Sequence, residues 1–170
     1  MILLANVVNI DIANNVIEQM TQRFDRRHPE RPHTLEKSRS FTPQLRYYDT
    51  NFQRSVSFLR MDARDLQFGD YTFDVVLDKG NFAFLISLIT LGTLDGILCG
   101  EDFENDSLLY LNECNRVLKP GGIFICISAG SPDKRQSRIE KKHFFNWKVE
   151  KVHKLAPAIG MLIYVEMNIN

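Results

Sequence analysis

The sequence predicts an α/β fold, an open sheet with helices packed against it. Three observations point there. Short apolar runs recur at residues 1–12, 56–61 and 73–77, and each carries an acidic residue at or next to its end. Helical spacing occupies stretches between such runs, at residues 14–28 and 105–118, and strands alternate with helices along the chain.

Residues 1–12 carry Ile2, Leu3, Leu4 and Ala5, then Val7, Val8, Ile10 and Ile12 around Asn9 and Asp11. So short and apolar a run suits a strand buried on both faces of a parallel sheet. Asn14 or Asn15 can cap the next helix, where Val16, Ile17, Met20 and Phe24 fall at helical spacing until His28-Pro29. Periodicity disappears over residues 30–55, where Arg31, Lys37, Arg39, Arg46 and Arg54 stand among Phe41, Tyr47, Tyr48 and Phe52. Basic and aromatic residues together can line a nucleic-acid surface. Here Glu30, Glu36 and Asp49 dilute the charge, so a solvated loop is the expectation. A second strand spans 56–61 and meets Asp62, and a third spans 73–77 and meets Asp78-Lys79-Gly80. Residues 105–118 put Leu108, Leu109, Leu111, Cys114, Val117 and Leu118 on or near one face of a helix that Lys119-Pro120-Gly121-Gly122 stops. Residues 123–128 form a fourth strand. After a polar, charged stretch at 131–142, residues 144–155 and 159–169 read as a terminal antiparallel strand pair joined through Ala156-Pro157-Ala158.

Length and composition narrow the function. With 170 residues the expectation is one domain over 1–170 with one site. The 21 basic residues balance 21 acidic ones, leaving no net field to draw in a polyanion, so no nucleic-acid partner is expected. Cys99, Cys114 and Cys126 are odd in number and widely spaced, and read as buried, reduced thiols of an intracellular protein. His28, His33, His143 and His153 have no metal-binding spacing, so no metal site is expected. The apolar stretch at 82–98 is interrupted by Ser87, Thr90, Gly92, Thr93, Asp95 and Gly96. Its unbroken runs fall short of the roughly 20 residues a bilayer needs, so no membrane partner is expected either.

Open α/β sheets bind ligands beyond the carboxyl ends of their strands, where the acids lie. Asp11 can accept hydrogen bonds from the hydroxyls of a ribose, because a carboxylate offers several acceptor sites to a vicinal diol, or it can cap the following helix. Asp62 can accept from a purine exocyclic amine with Met61 or Ala63 against the ring, while Asp65 reads as a cap. Asp78 can face a cationic sulfonium or amino group, or pair with Lys79 at a turn.

Taken in order, Val8-Asn9-Ile10-Asp11-Ile12, Val16-Ile17-Glu18-Gln19-Met20, Met61-Asp62-Ala63-Arg64, Phe73-Asp74-Val75-Val76-Leu77-Asp78-Lys79-Gly80 and Arg116-Val117-Leu118-Lys119-Pro120-Gly121-Gly122 resemble class I S-adenosylmethionine-dependent methyltransferases. Within that class the chain is most similar to eukaryotic protein-lysine methyltransferases of the methyltransferase-like protein 13 and elongation factor 1A lysine methyltransferase type. Phe144, Phe145, Asn146 and Trp147 resemble the start of that family's terminal strand pair. The resemblance implies a Rossmann-like sheet with helices on both faces, S-adenosyl-L-methionine as cofactor, and a protein substrate, with a translation elongation factor as candidate. It further implies a cytoplasmic monomer. By resemblance Asp11 with Ile12 would hold the cofactor ribose, Asp62 with Ala63 would border the adenine, and Asp78 with Lys79 and Gly80 would line the substrate side, Asp78 and Lys79 being the catalytic candidates.

The chain departs from the family pattern in three places. Only ten residues precede Asp11, none of them glycine, so the first strand and its Gly-rich loop are expected to be missing. Residues 81–92 separate Lys79-Gly80 from a Thr93-Leu94-Asp95-Gly96 string that the family joins directly to it, and so read as inserted. Residues 30–55 are longer than the usual connection. The alternatives to an active enzyme are therefore a non-catalytic methyltransferase-like interaction module or an incomplete gene model. A nicotinamide-dependent Rossmann enzyme would share the ribose acid but leaves Leu77-Asp78-Lys79-Gly80 unexplained.

Overall fold

A computed structural model describes residues 6–29, 33–36, 44–49, 54–79, 92–128, 130–141, 147–153 and 162–169. The chain forms two compact units, residues 1–63 and 64–170.

The first unit runs β1 (Asn6–Asp11), α1 (Asn14–Arg27), β2 (His33–Glu36), β3 (Gln44–Asp49) and β4 (Arg54–Arg60). Its sheet has the order β1-β4-β3-β2. β1 and β4 are parallel, with Val7 opposite Val56 and Asp11 opposite Arg60, a pairing that needs a crossover such as α1. α1 turns Ile17, Met20 and Phe24 onto β4, where Ile17 and Phe58 are buried and Val56 joins them. The Phe24 and Phe58 rings meet edge-on with centroids 5.8 Å apart. Arg26 and Arg27 in the last turn oppose the negative end of the helix dipole.

Several expectations change in this unit. Residues 33–36 and 44–49 are not loop: β2 and β3 form an antiparallel hairpin, and β3 pairs antiparallel with β4. Backbone hydrogen bonding to the edge of β4 orders them, and side-chain periodicity does not report that. β1 is not buried on both faces. None of its residues is fully buried, because among the described strands it has β4 as its sheet neighbour on one side alone. Ala13 stands at the N-cap position of α1 in place of Asn14 or Asn15, and Asn14 is already helical, its amide donating to Glu18 at 2.5 Å.

The second unit runs β5 (Phe73–Lys79), α2 (Thr93–Ile97), α3 (Phe103–Val117), β6 (Leu118–Ser128), α4 (Pro132–Ile139), β7 (Trp147–His153) and β8 (Leu162–Ile169). Its sheet order is β5-β6-β8-β7. β5 and β6 are parallel, with Asp78 opposite Cys126. β8 pairs antiparallel with β6 on one side and with β7 on the other. The core gathers Leu94, Tyr110, Leu111, Cys114, Val117, Leu118, Phe124, Cys126 and Ile139. Alternate residues of β6, namely Phe124, Cys126 and Ser128, are buried, and the Phe124 ring meets Tyr110 at 6.5 Å. Successive residues turn by about 100° in a helix, so Ser107, Tyr110, Leu111, Cys114 and Val117 share the buried face. Leu109, expected near that face, is 44% exposed.

Arg116 pins the segment ahead of β5 to the end of α3. Its guanidinium donates to Glu113 through Nε at 2.8 Å and Nη2 at 2.7 Å, and to the Leu66 and Phe68 carbonyls at 2.9 and 2.7 Å. It also reaches Asp70 at 2.8 Å. The Lys119-Pro120-Gly121-Gly122 stop is absorbed into β6: the register jumps from Phe73 opposite Leu118 to Val75 opposite Ile123, and Gly121 takes the φ of +75° that this bulge requires. The polar stretch after β6 contains α4, with Pro132 in the first turn where a missing N–H costs nothing, and Ile139 buried. Cys114 and Cys126 are buried, whereas Cys99, expected to be, is exposed. The proposed insertion at 81–92, except Gly92, lies outside the described residues, as do Gly80 and the 156–158 joint. Among the described residues no helix is long and apolar enough to cross a membrane.

Candidate functional site

In the first unit the acids lie at the carboxyl ends of two neighbouring parallel strands. Asp11 is the last residue of β1, and its carbonyl accepts from the Met61 N–H at 3.0 Å, which brings the start of the segment after β4 beside it. Asp62 follows, half-buried and already engaged with other groups, and Ala63 is half-buried next to it. The Asp11 carboxylate accepts from the Ala13 N–H through Oδ1 at 2.8 Å, holding the turn into α1. That oxygen braces the turn without capping α1, whose N-cap Ala13 has no side-chain cap, and Oδ2 has no hydrogen bond among the described residues. Ile12 is 58% exposed, an apolar surface directly after the acid. Arg60 donates through Nε to the Ile12 carbonyl at 3.1 Å and fixes that corner.

In the second unit Asp78, near the end of β5, is 4% exposed. Its Oδ1 accepts from the Thr93 N–H at 2.8 Å and its Oδ2 from the Leu94 N–H at 3.0 Å, so it caps α2. The Cys126 thiol donates to the same Oδ2 at 3.9 Å. Burial raises the Asp78 carboxyl above the usual range against the lowering pull of the Leu94 and Thr93 amides. Burial likewise raises the Tyr110 and Cys114 groups beside it. Lys79, one residue on, is exposed, and no ion pair joins it to Asp78 among the described residues.

Beside Asp78 lies a cluster that sequence reading did not find. Asp95 of α2 is 3% exposed and bonds the Ser128 hydroxyl at the end of β6. Arg135 of α4 donates to Asp95 Oδ1 through Nη2 at 2.9 Å and Nε at 3.1 Å, and Nε also reaches Ser128 Oγ at 2.7 Å. The Gly130 N–H donates to the same hydroxyl at 3.1 Å. The visible signal was the Thr93-Leu94-Asp95-Gly96 string, which fixes Asp95 in the first turn of α2 but does not reveal its partners.

A known family accounts for this arrangement: the sequence model described as "Methyltransferase domain" matches residues 2–126. The chain belongs to the S-adenosylmethionine-dependent methyltransferases. The match covers β1 to most of β6 and so both sets of strand-end acids. The chain is similar to the "eEF1A lysine and N-terminal methyltransferase" of Bos taurus, 32% identical over 168 residues, covering 95% of this chain and 18% of that protein. It is 35% identical over 162 residues to the protein so named in Mus musculus, covering 90% of this chain and 17% of the relative. "EEF1A lysine methyltransferase 4" of Bos taurus is 34% identical over 92 residues, 49% of this chain and 31% of that protein. This methyltransferase domain therefore spans about 18% of the length of the first curated relative it matches.

Proposed function

We propose that this methyltransferase domain takes S-adenosyl-L-methionine at the carboxyl ends of β1 and β4 and serves transfer of its methyl group to a protein lysine. The observation that carries the reading is the placement of Asp11 and Asp62 at the ends of adjacent parallel strands, held together by the Met61-to-Asp11 backbone bond. The residues fit the nucleoside end of the cofactor. Asp11 Oδ2 offers an acceptor to ribose hydroxyls, Ile12 supplies exposed apolar surface, and Asp62 with Ala63 borders the adenine. Residues 1–63 contain no glycine, so no residue of this unit is assigned to the methionyl end.

Bound there, the cofactor supplies an electrophilic methyl group on a sulfonium sulfur. The chain's own task is to orient the nucleophile and keep its amine neutral in a partly desolvated place. Asp78 serves by fixing the start of α2, and Lys79 lines the substrate side at the exposed end of β5. The relatives' names support elongation factor 1A as the candidate protein substrate, and the reading adds a monomeric enzyme that meets it in the cytoplasm. In the class I sheet that goes with this reading, helices cover both faces and β7 with β8 forms the terminal pair.

One observation favours a second reading, a non-catalytic interaction module: both Asp78 oxygens accept from backbone amides and the residue is almost wholly buried, so it faces the fold and not a substrate. Intact mass of purified elongation factor 1A after incubation with the chain and S-adenosylmethionine separates the two. Increments of one methyl group support transfer; unchanged mass at equimolar enzyme favours the module.

A further inference from the structure

We propose that Arg135 is a positioning residue for methyl transfer, acting through Asp95 to hold the start of α2 against Asp78; the proposal rests on the methyltransferase reading above. The chain of contacts is continuous. Asp78 holds α2 by the Thr93 and Leu94 amides, and the next residue, Asp95, is held by Arg135 and Ser128. Ser128 and Asp78 belong to the parallel strands β6 and β5, near the carboxyl ends, where an α/β fold does its chemistry.

Charge explains why Arg135 matters. Asp78 and Asp95 are two nearly inaccessible carboxylates in neighbouring positions, and the charge of Asp95 adds to the burial that raises the Asp78 carboxyl. Arg135 forms an ion pair with Asp95 at 2.9 Å, and its side chain is only 17% exposed. Removing such a partner from a buried carboxylate is strongly destabilising, and the first turn of α2 that carries Asp95 loosens with it. The guanidinium bridges Asp95 and Ser128 with a planar fork that a lysine ammonium cannot reproduce. Gly130 leaves room for it, since a Cβ there would strike the Arg135 guanidinium.

The test uses the full chain with Arg135→Met, Arg135→Lys and Gly130→Ala. The last keeps every charge and only pushes the guanidinium aside. Amide hydrogen exchange should speed up about tenfold or more at Thr93 and Leu94 in Arg135→Met and Gly130→Ala, with Leu111 and Cys114 of α3 unchanged. Affinity for S-adenosylmethionine by titration calorimetry should stay within about twofold. The kcat for methylation of elongation factor 1A should fall about tenfold, and Arg135→Lys should recover part of it. Unchanged exchange at Thr93 and Leu94, exchange that rises equally through α3, or an unchanged kcat would overturn the proposal. A wild-type chain that neither binds S-adenosylmethionine nor methylates sinks the methyltransferase reading and the catalytic half of the proposal with it. The exchange measurement still decides whether Arg135 holds α2.

Discussion

Replacing Asp78 with alanine separates a carboxylate that builds the site from one that meets the substrate. The change strips the acceptor from the Leu94 N–H, in a buried bond of 3.0 Å, and from the Thr93 N–H, in a part-buried bond of 2.8 Å. A buried donor left unpaired costs about 1–3 kcal/mol, and the part-buried amide costs less because water can reach it. The Cys126 thiol loses its weak 3.9 Å bond to Oδ2. Against these losses stands relief from burying a carboxylate, whose pKa burial raises. The balance is a loss of roughly 2–3 kcal/mol, read as a lower urea midpoint at unchanged slope. A residue kept mainly for substrate would give the opposite result, an equal or higher midpoint on removal. That outcome in Asp78→Ala refutes the reasoning. The pH dependence gives a second reading of the same group. Its folded pKa lies above the ordinary 3.8, so the folded state keeps the proton longer, and stability contributed by this group falls as pH rises from 3.8 through the folded value. Asp78→Ala removes that slope.

Arg116→Ala strands the Leu66 and Phe68 carbonyls and should cost about 2–3 kcal/mol in a urea melt, whereas Asp70→Ala, which loses only an exposed ion pair, should cost about 0.5 kcal/mol or less. Phe124→Ala, at a fully buried position, should lose about 3–5 kcal/mol, while Leu109→Ala on the exposed face should lose under about 0.5 kcal/mol by the same melt. Glu104 ties α3 to α4 through Arg138 at 2.7 Å and Lys141 at 3.1 Å, and these partners hold its carboxyl down to about 2. Stability from this tie is complete above the ordinary 4.5 and is lost as pH falls from 4.5 through about 2, so Glu104→Gln should flatten an acid titration of α4 followed by amide exchange.

The strands that lead to acids were legible because a short apolar run meeting an Asp is a local pattern, and β1, β4 and β5 follow it. α1 and α3 were legible from Ile17, Met20 and Phe24 and from Leu111, Cys114 and Val117, whose spacing repeats with the helix turn. The hairpin of β2 and β3 was not, because its order comes from backbone pairing to β4. α4 hid because it buries one large apolar residue, Ile139, among charged ones. The site divides in the same way. The strand-end positions of Asp11 and Asp62 could be read one strand at a time, while Arg135 lies 40 residues from Asp95, and only the fold brings the two together.

Titration calorimetry of the purified chain with S-adenosylmethionine and S-adenosylhomocysteine, beside an Asp11→Asn variant, tests the cofactor site most directly. Saturable one-to-one heat is expected for the wild type, with affinity about tenfold weaker in Asp11→Asn, the size of one charge-assisted hydrogen bond near 1.4 kcal/mol. No heat with either ligand, or equal affinity in the variant, would contradict a cofactor site built on Asp11 at the end of β1.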